Sequence, residues 1–155
     1  MTKTRNIELN LGNPQNGWLP IDFKSDQFEL SFISSNVPEN PTDKMCDALI
    51  LCLKDVETEF QWNLEPDIYT FKLTPNRNLI KLSISKSNGS KVQNLIYDFN
   101  GDFNSVILPM YRSLKKFNTL EYGKTDWTII DHGKLNKLTE LITSKKTAYN
   151  KVYKK

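Results

Sequence analysis

Two stretches near the start of the chain, "WLPIDF" and "FELSFI", alternate apolar with polar residues. Leu19, Ile21 and Phe23 fall on one side of the first, and Phe28, Leu30 and Phe32 on one side of the second. Successive side chains of an extended strand point to opposite faces, so this alternation predicts two half-buried strands. "SDQ" supplies the turn between them, and "IELNL" before them adds a candidate edge strand. The period then changes. In "NVPENPTDKMCDALILCLKD", Met45, Ala48, Leu49, Cys52 and Leu53 recur at helical spacing. Asn40 suits an N-cap, Pro41 the first helical position and Asp43 the positive end of the helix dipole. A helix near 41–54 laid on a sheet is expected.

The next segment, "EFQWNLEPDIYTF", returns to alternation and breaks it with Glu65-Pro66-Asp67. Setting Phe60, Trp62 and Leu64 opposite Leu73, Phe71 and Tyr69 leaves a loop of four residues, Glu65 to Ile68. Such loops are commonly built on a type I turn with proline in second place. A loop of three would set Trp62 opposite Thr70 and mix the two faces. Leu73, Phe71 and Tyr69 then match Ile80, Leu82 and Ile84 across a loop around "PNRN". Asn88-Gly89 signals a type I′ turn, because both of its central positions need positive φ. A two-residue loop there sets Leu82 opposite Leu95 and Ile80 opposite Tyr97. Residues 57–99 thus read as a four-stranded antiparallel meander with Trp62, Phe71 and Leu82 facing inward.

Helical spacing resumes over 102–117 with Phe103, Val106, Ile107, Met110, Leu114 and Phe117. Asp102 is the candidate N-cap, and Pro109 should kink this helix or delay its start. "EYGKTDWTII" reads as loop with room for a short strand, and a last helix from Asp131 carries Leu135, Leu138, Leu141 and Ile142. The predicted fold is therefore α+β: an antiparallel sheet of about six strands with two to three helices covering one face. With 155 residues and no internal repeat or long Gly/Ser linker, the chain is read as a single domain over 1–155 with a lysine-rich tail from about 145.

Composition narrows the function classes. Hydrophobic residues make up 38% and charged residues 25%, which suits a globular chain and not a disordered one. No apolar run approaches the roughly 20 residues needed to span a bilayer, and "MTKTRNIELNLG" lacks the apolar core of a signal peptide. A cytoplasmic protein without membrane contact is expected. The net charge of +3 hides a polarity: residues 134–155 carry +6, whereas residues 39–67 carry −6.

Candidate chemistry is sparse. Cys46 and Cys52 lie six positions apart on the predicted helix, on opposite sides, so a disulfide between them is not expected. One histidine, His132, cannot form a paired-histidine metal site, and it precedes Gly133 where a capping or loop role fits. No phosphate-cradling loop or nucleophile elbow is present, and no cofactor or metal is expected. Tyr149 and Tyr153 among the tail lysines raise nucleic-acid binding, which the shortness of the tail and its lack of arginine argue against. The acidic segment offers a partner-binding set instead: Asp55, Glu57, Glu59, Gln61, Glu65 and Asp67. The expected function is a non-enzymatic protein-binding domain whose partner is a protein, basic where it docks. The alternative is a small enzyme using carboxylates near the Glu65-Pro66-Asp67 turn.

The stretches "WLPIDF", "ETEFQWNLEPDIYTFKL", "LIYDFNGDFNSVI" and "TDWTIIDHGKLNKLTEL" together resemble an uncharacterised family of small bacterial single-domain proteins. The shared features are a Trp-Leu-Pro strand, an aromatic and Glu-Pro hairpin turn, and a late Trp before a terminal helix. They span residues 18–142, with Asp67 and Ile68 standing where the family has Gly-Glu. The resemblance implies no reaction, cofactor or catalytic residue. By analogy with where such small proteins occur, it implies a toxin-immunity or inhibitor role.

Overall fold

The computed structural model describes residues 6–89 and 92–153, with side chains placed as far as Ala148. Tyr149 and Tyr153, the tail residues whose contact with nucleic acid the sequence argues against, lie outside the described side chains. Seven antiparallel strands follow one another in sequence order: β1 Glu8–Leu11, β2 Trp18–Ser25, β3 Phe28–Ser35, β4 Thr58–Asn63, β5 Asp67–Asn76, β6 Leu79–Asn88 and β7 Asn94–Gly101. Helix α1, Pro41–Leu53, connects β3 to β4, while α2, Leu108–Asn118, and α3, His132–Tyr153, follow the sheet. The architecture is the expected α+β meander, with "IELNL" paired to β2 as β1.

The strand faces follow the alternation, but the three turns differ from their expected form. The first is a two-residue connection, Glu65-Pro66, with a cis bond between them. The Leu64 N–H donates to the Asp67 carbonyl at 2.7 Å and the Glu65 N–H to Asn63 Oδ1 at 3.0 Å. Phe60 consequently faces Phe71, and Trp62 faces Tyr69. The β5–β6 turn is likewise Arg77-Asn78, with Arg77 at φ 60°, and it pairs Leu73 with Leu82. Both registers are shifted by two residues from the expected ones. Tighter loops let each ladder run further, and an even shift leaves every side chain on its predicted face. Trp62, Phe71 and Leu82 are all fully buried.

The third turn breaks the pattern further. Gly89 has the positive φ that its turn requires, but pairing resumes only at Lys86↔Asn94, and Leu82 faces Phe99 instead of Leu95. A register irregularity between Ile84 and Ser85 inserts an extra residue on β7. One inserted residue reverses the facing of everything beyond it. Tyr97 and Phe99 point inward, whereas Leu95 lies opposite Ser85 and is 59% exposed.

The sheet is strongly curled. β3 and β4 pair at a single position, Ser35↔Asn63. The inner faces of the β2–β3 hairpin and the β5–β7 strands meet through aromatic side chains. Phe23 packs edge-on against Phe71 with centroids 5.8 Å apart, Phe28 stacks on Tyr97 at 4.3 Å, and the Tyr97 hydroxyl donates to Ser25 Oγ at 2.5 Å.

Helix α1 begins as expected, with Asn40 Oδ1 accepting from the Thr42 N–H and Pro41 in the first turn. It packs between β4 and α3, so both sides are covered and Cys46 and Cys52 are each buried although they face opposite ways. Burial pushes both thiols up to about 12, which keeps them protonated and unreactive at neutral pH. Before α2, residues 103–107 form one turn of π-helix, capped by Asp102 and Ser105, and Pro109 falls in the first turn of α2. The proline delays the α-helix rather than kinking it. Gly101 is held small by this turn: a Cβ there would press on Ser105 Oγ and lie 2.6 Å from the Phe99 ring.

The segment after α2 forms no strand. Instead Trp127 is fully buried, donates from its indole nitrogen to Thr42 Oγ1 at 3.2 Å, and meets the Phe117 ring edge-on. The α3 N-cap is Asp131, whose Oδ1 accepts from the Gly133 and Lys134 N–H groups, and His132 is exposed. Lys134 reaches back to α1, 2.5 Å from Asp43 and 3.0 Å from Asp47. Partial burial pulls its pKa down, but the hydrogen bonds that the ammonium donates to both carboxylates outweigh this and hold it above the ordinary lysine range. A raised folded-state pKa stabilises the fold fully below the unfolded lysine value of about 10.4 and loses that contribution as pH rises through the folded value. Lys134→Met should cost about 1 kcal/mol at neutral pH. Denaturation followed against pH should show the alkaline decline of the wild type flattened in the variant.

Candidate functional site

The inner face of the sheet is filled by the core, and the helices lie on that side. The outer face is open. Where β3 and β4 separate beyond their single pair, a recess of about 200 Å³ forms between the end of β3, the loop into α1, and β4. Glu59, Gln61 and Asn63 line it from β4, opposite Val37, Glu39 and Lys44. The loop is fixed by Asn63 Nδ2 donating to the Val37 carbonyl at 2.7 Å and by the Val37 N–H donating to Ser35 Oγ at 3.0 Å. Lys44 stands 3.8 Å from Glu39, while Glu59 has no ion pair with a described residue.

Val37 lines this recess, and two further exposed apolar side chains stand on the same outer face of the sheet. Trp18 lies opposite Ser35, and Ile33 opposite Pro20, both on the outer face. Trp18 is 39% exposed, Ile33 54% and Val37 more than half. They follow from the alternation itself: Leu19, Ile21, Phe32 and Ser34 turn inward, so their neighbours turn out. An indole and two aliphatic groups on the same face as Glu59, which itself lies opposite Lys72, make a surface of the kind that anchors protein interfaces, where buried aromatics carry most of the energy and charge sets approach.

The six acidic-segment residues divide between several places. Glu59 and Gln61 share the recess. Glu57 pairs with Lys72 at 3.3 Å across the β4–β5 ladder. Glu65 occupies the exposed turn, and Asp67 shares the inward parity of Tyr69 at the end of the sheet, 3.8 Å from Lys86. Asp55 belongs to a separate cleft beyond α1. Trp18, Ile33 and Val37 were not singled out from the sequence. The outward register of a tryptophan in "WLPIDF" was the available signal, since its neighbours Leu19 and Ile21 had already been assigned to the core.

No group of three or more His, Cys, Asp or Glu converges as a metal site among the described residues, and none of their helices is long and apolar enough to cross a membrane. Comparison with protein-family models, curated proteins and solved structures yields no match to this chain.

Proposed function

We propose that this chain is a non-enzymatic protein-binding domain that docks a basic partner on the outer face around β2–β4. The observation that carries the reading is the recess at the β3–β4 separation, with Glu59 on its wall in no ion pair with a described residue, Val37 exposed in its lining, and Trp18 and Ile33 exposed on the same outer face. A lysine or arginine of the partner enters between Glu39 and Glu59 while apolar groups cover the indole. Masking a partner's basic surface in this way suits an immunity or inhibitor protein of bacterial type, acting in the cytoplasm. The alternative of an enzyme at the Glu65-Pro66-Asp67 turn has less support, because among the described residues its carboxylates are spread apart: Glu65 is exposed on the hairpin turn, Asp67 pairs with Lys86, and Glu59 lies in the β3–β4 recess.

The test compares wild type, Trp18→Ala, Glu59→Lys and Leu79→Ser as bait in quantitative pull-downs from host extract, followed by affinity measurement on the captured protein. Trp18→Ala should weaken a specific partner by at least about 2 kcal/mol, the threshold of an interface hot spot. Glu59→Lys should slow association most strongly at low salt, where exposed charge steers encounter. Leu79→Ser, remote from the recess, should behave as wild type, and all melting curves should coincide. Identical capture by all four proteins would return Glu59 and Trp18 to ordinary surface.

A further inference from the structure

A second cavity, of about 530 Å³, opens where the turn after α1, the β5–β6 turn and the later part of α3 come together. It shares no residue with the recess at Glu59. One wall is apolar, built from Leu53, Pro75, Ile80 and Phe103, with Leu79 at the rim 55% exposed. Its size falls within the range of small-molecule sites, and an apolar wall with a few charged groups is their usual composition.

The charges come from different elements. Arg77 is contributed by the β5–β6 turn and Lys145 by α3, while Asp55 follows α1 and Asp102 precedes α2. The two acids are not equivalent. Asp102 Oδ1 already accepts from the Ser105 N–H and from Ser105 Oγ, both at 2.9 Å, in capping the π-helical turn. Asp55 is exposed, at φ 63°. Neither Arg77 nor Lys145 forms an ion pair with a carboxylate among the described residues.

Two cations from different elements, Arg77 and Lys145, thus line an apolar cavity, and Asp55 is the carboxylate among its described lining residues that serves no cap.

We propose that this cavity binds a free amphipathic organic anion, with its apolar body against Leu53, Ile80 and Phe103 and its head group toward Arg77 and Lys145. The head is a carboxylate or sulfonate, and the body is aliphatic or aromatic. Asp55 opposes the head and limits affinity.

The full chain is titrated with sodium decanoate in low-salt buffer, following displacement of 8-anilinonaphthalene-1-sulfonate and confirming stoichiometry by calorimetry. Saturable binding at one site is expected. The double variant Arg77→Glu/Lys145→Glu should weaken it at least about tenfold, and added salt should weaken it severalfold. Asp55→Asn should tighten it severalfold, because asparagine tolerates the positive-φ position and removes the opposing charge. Decanol, with the same chain and no charge, should bind at least about tenfold more weakly than decanoate. All three altered side chains are exposed, so melting curves should match wild type. Unsaturable uptake of decanoate, or equal affinity in wild type and the double variant, overturns the proposal. Sedimentation with phosphatidylglycerol vesicles without decanoate binding assigns these cations to a lipid surface and overturns it equally.

Discussion

Leu82→Ala should lower the unfolding free energy by about 2–5 kcal/mol, while Leu95→Ala should change it by less than about 0.5 kcal/mol. Leu82 is fully buried between Leu73 and Phe99 on its two neighbouring strands, and the cavity left by truncation cannot close against a packed sheet. Leu95 is 59% exposed beyond the β7 irregularity and gives up little on removal. At about 2–4 °C per kcal/mol for a chain of this size, the two melting midpoints should separate clearly. The comparison tests the register directly. A two-residue loop at Asn88-Gly89 would place both leucines opposite each other in the core, and both truncations would then be costly. Trp62→Phe is a useful third variant. The indole N–H of Trp62 is buried and has no hydrogen-bond partner among the described residues, so phenylalanine removes an unsatisfied donor together with some volume. Its cost should be well below that of Trp62→Ala.

Trp127→Ala should cost about 3–5 kcal/mol, as large as a truncation in the sheet, although Trp127 lies in a segment without regular structure. Its ring fills the space beside Phe117 of α2, and its N–H reaches Thr42 at the start of α1. The same segment is tied by Asn40 Nδ2 donating to the Thr128 carbonyl at 3.1 Å and by the Gly17 N–H donating to the Asp126 carbonyl at 2.8 Å. Truncation should therefore loosen the contacts joining α1, α2 and the β1–β2 connection together. Trp127→Phe separates packing from the hydrogen bond and should cost about 1 kcal/mol more than the lost volume alone. Chemical denaturation of both variants, with amide exchange over 123–130, would check this. A Trp127→Ala midpoint equal to wild type would show that the ring does not hold the helices together.

The extent to which these features are legible in the sequence differs from one element to the next. Alternation in "WLPIDF" and "EFQW" specifies strands and their buried faces because a strand has a period of two. Spacing from Met45 to Leu53, with Asn40 and Pro41 ahead of it, specifies α1 because capping and amphipathicity act within a few residues of one another. Turn lengths are less local. Glu65-Pro66 and Arg77-Asn78 each close with two residues, and the extra ladder pairs that result depend on the partner strand as much as on the turn. Both offsets are even, so the same residues face the core in either register. The β7 irregularity is odd, and it alone moved an apolar residue, Leu95, from the expected core to the surface.

Long-range packing decided what local pattern could not. Both cysteines are buried because α3 covers the side of α1 away from the sheet, and no spacing within 41–54 reports that second layer. Likewise the acidic character of 39–67 is plain from composition. Its division among a β4 recess, cross-strand pairs with Lys72 and Lys86, and a cleft facing Lys145 depends on where the curled sheet brings distant segments together. Local pattern alone specifies where the strands and helices lie and, apart from β7 beyond its irregularity, which of their faces is apolar, because these rest on periodicities read over a few neighbours. The tertiary structure decided register, the second burial of α1 and the grouping of charges beside Trp18 and around Lys145, because each is set by contacts between residues far apart in the chain.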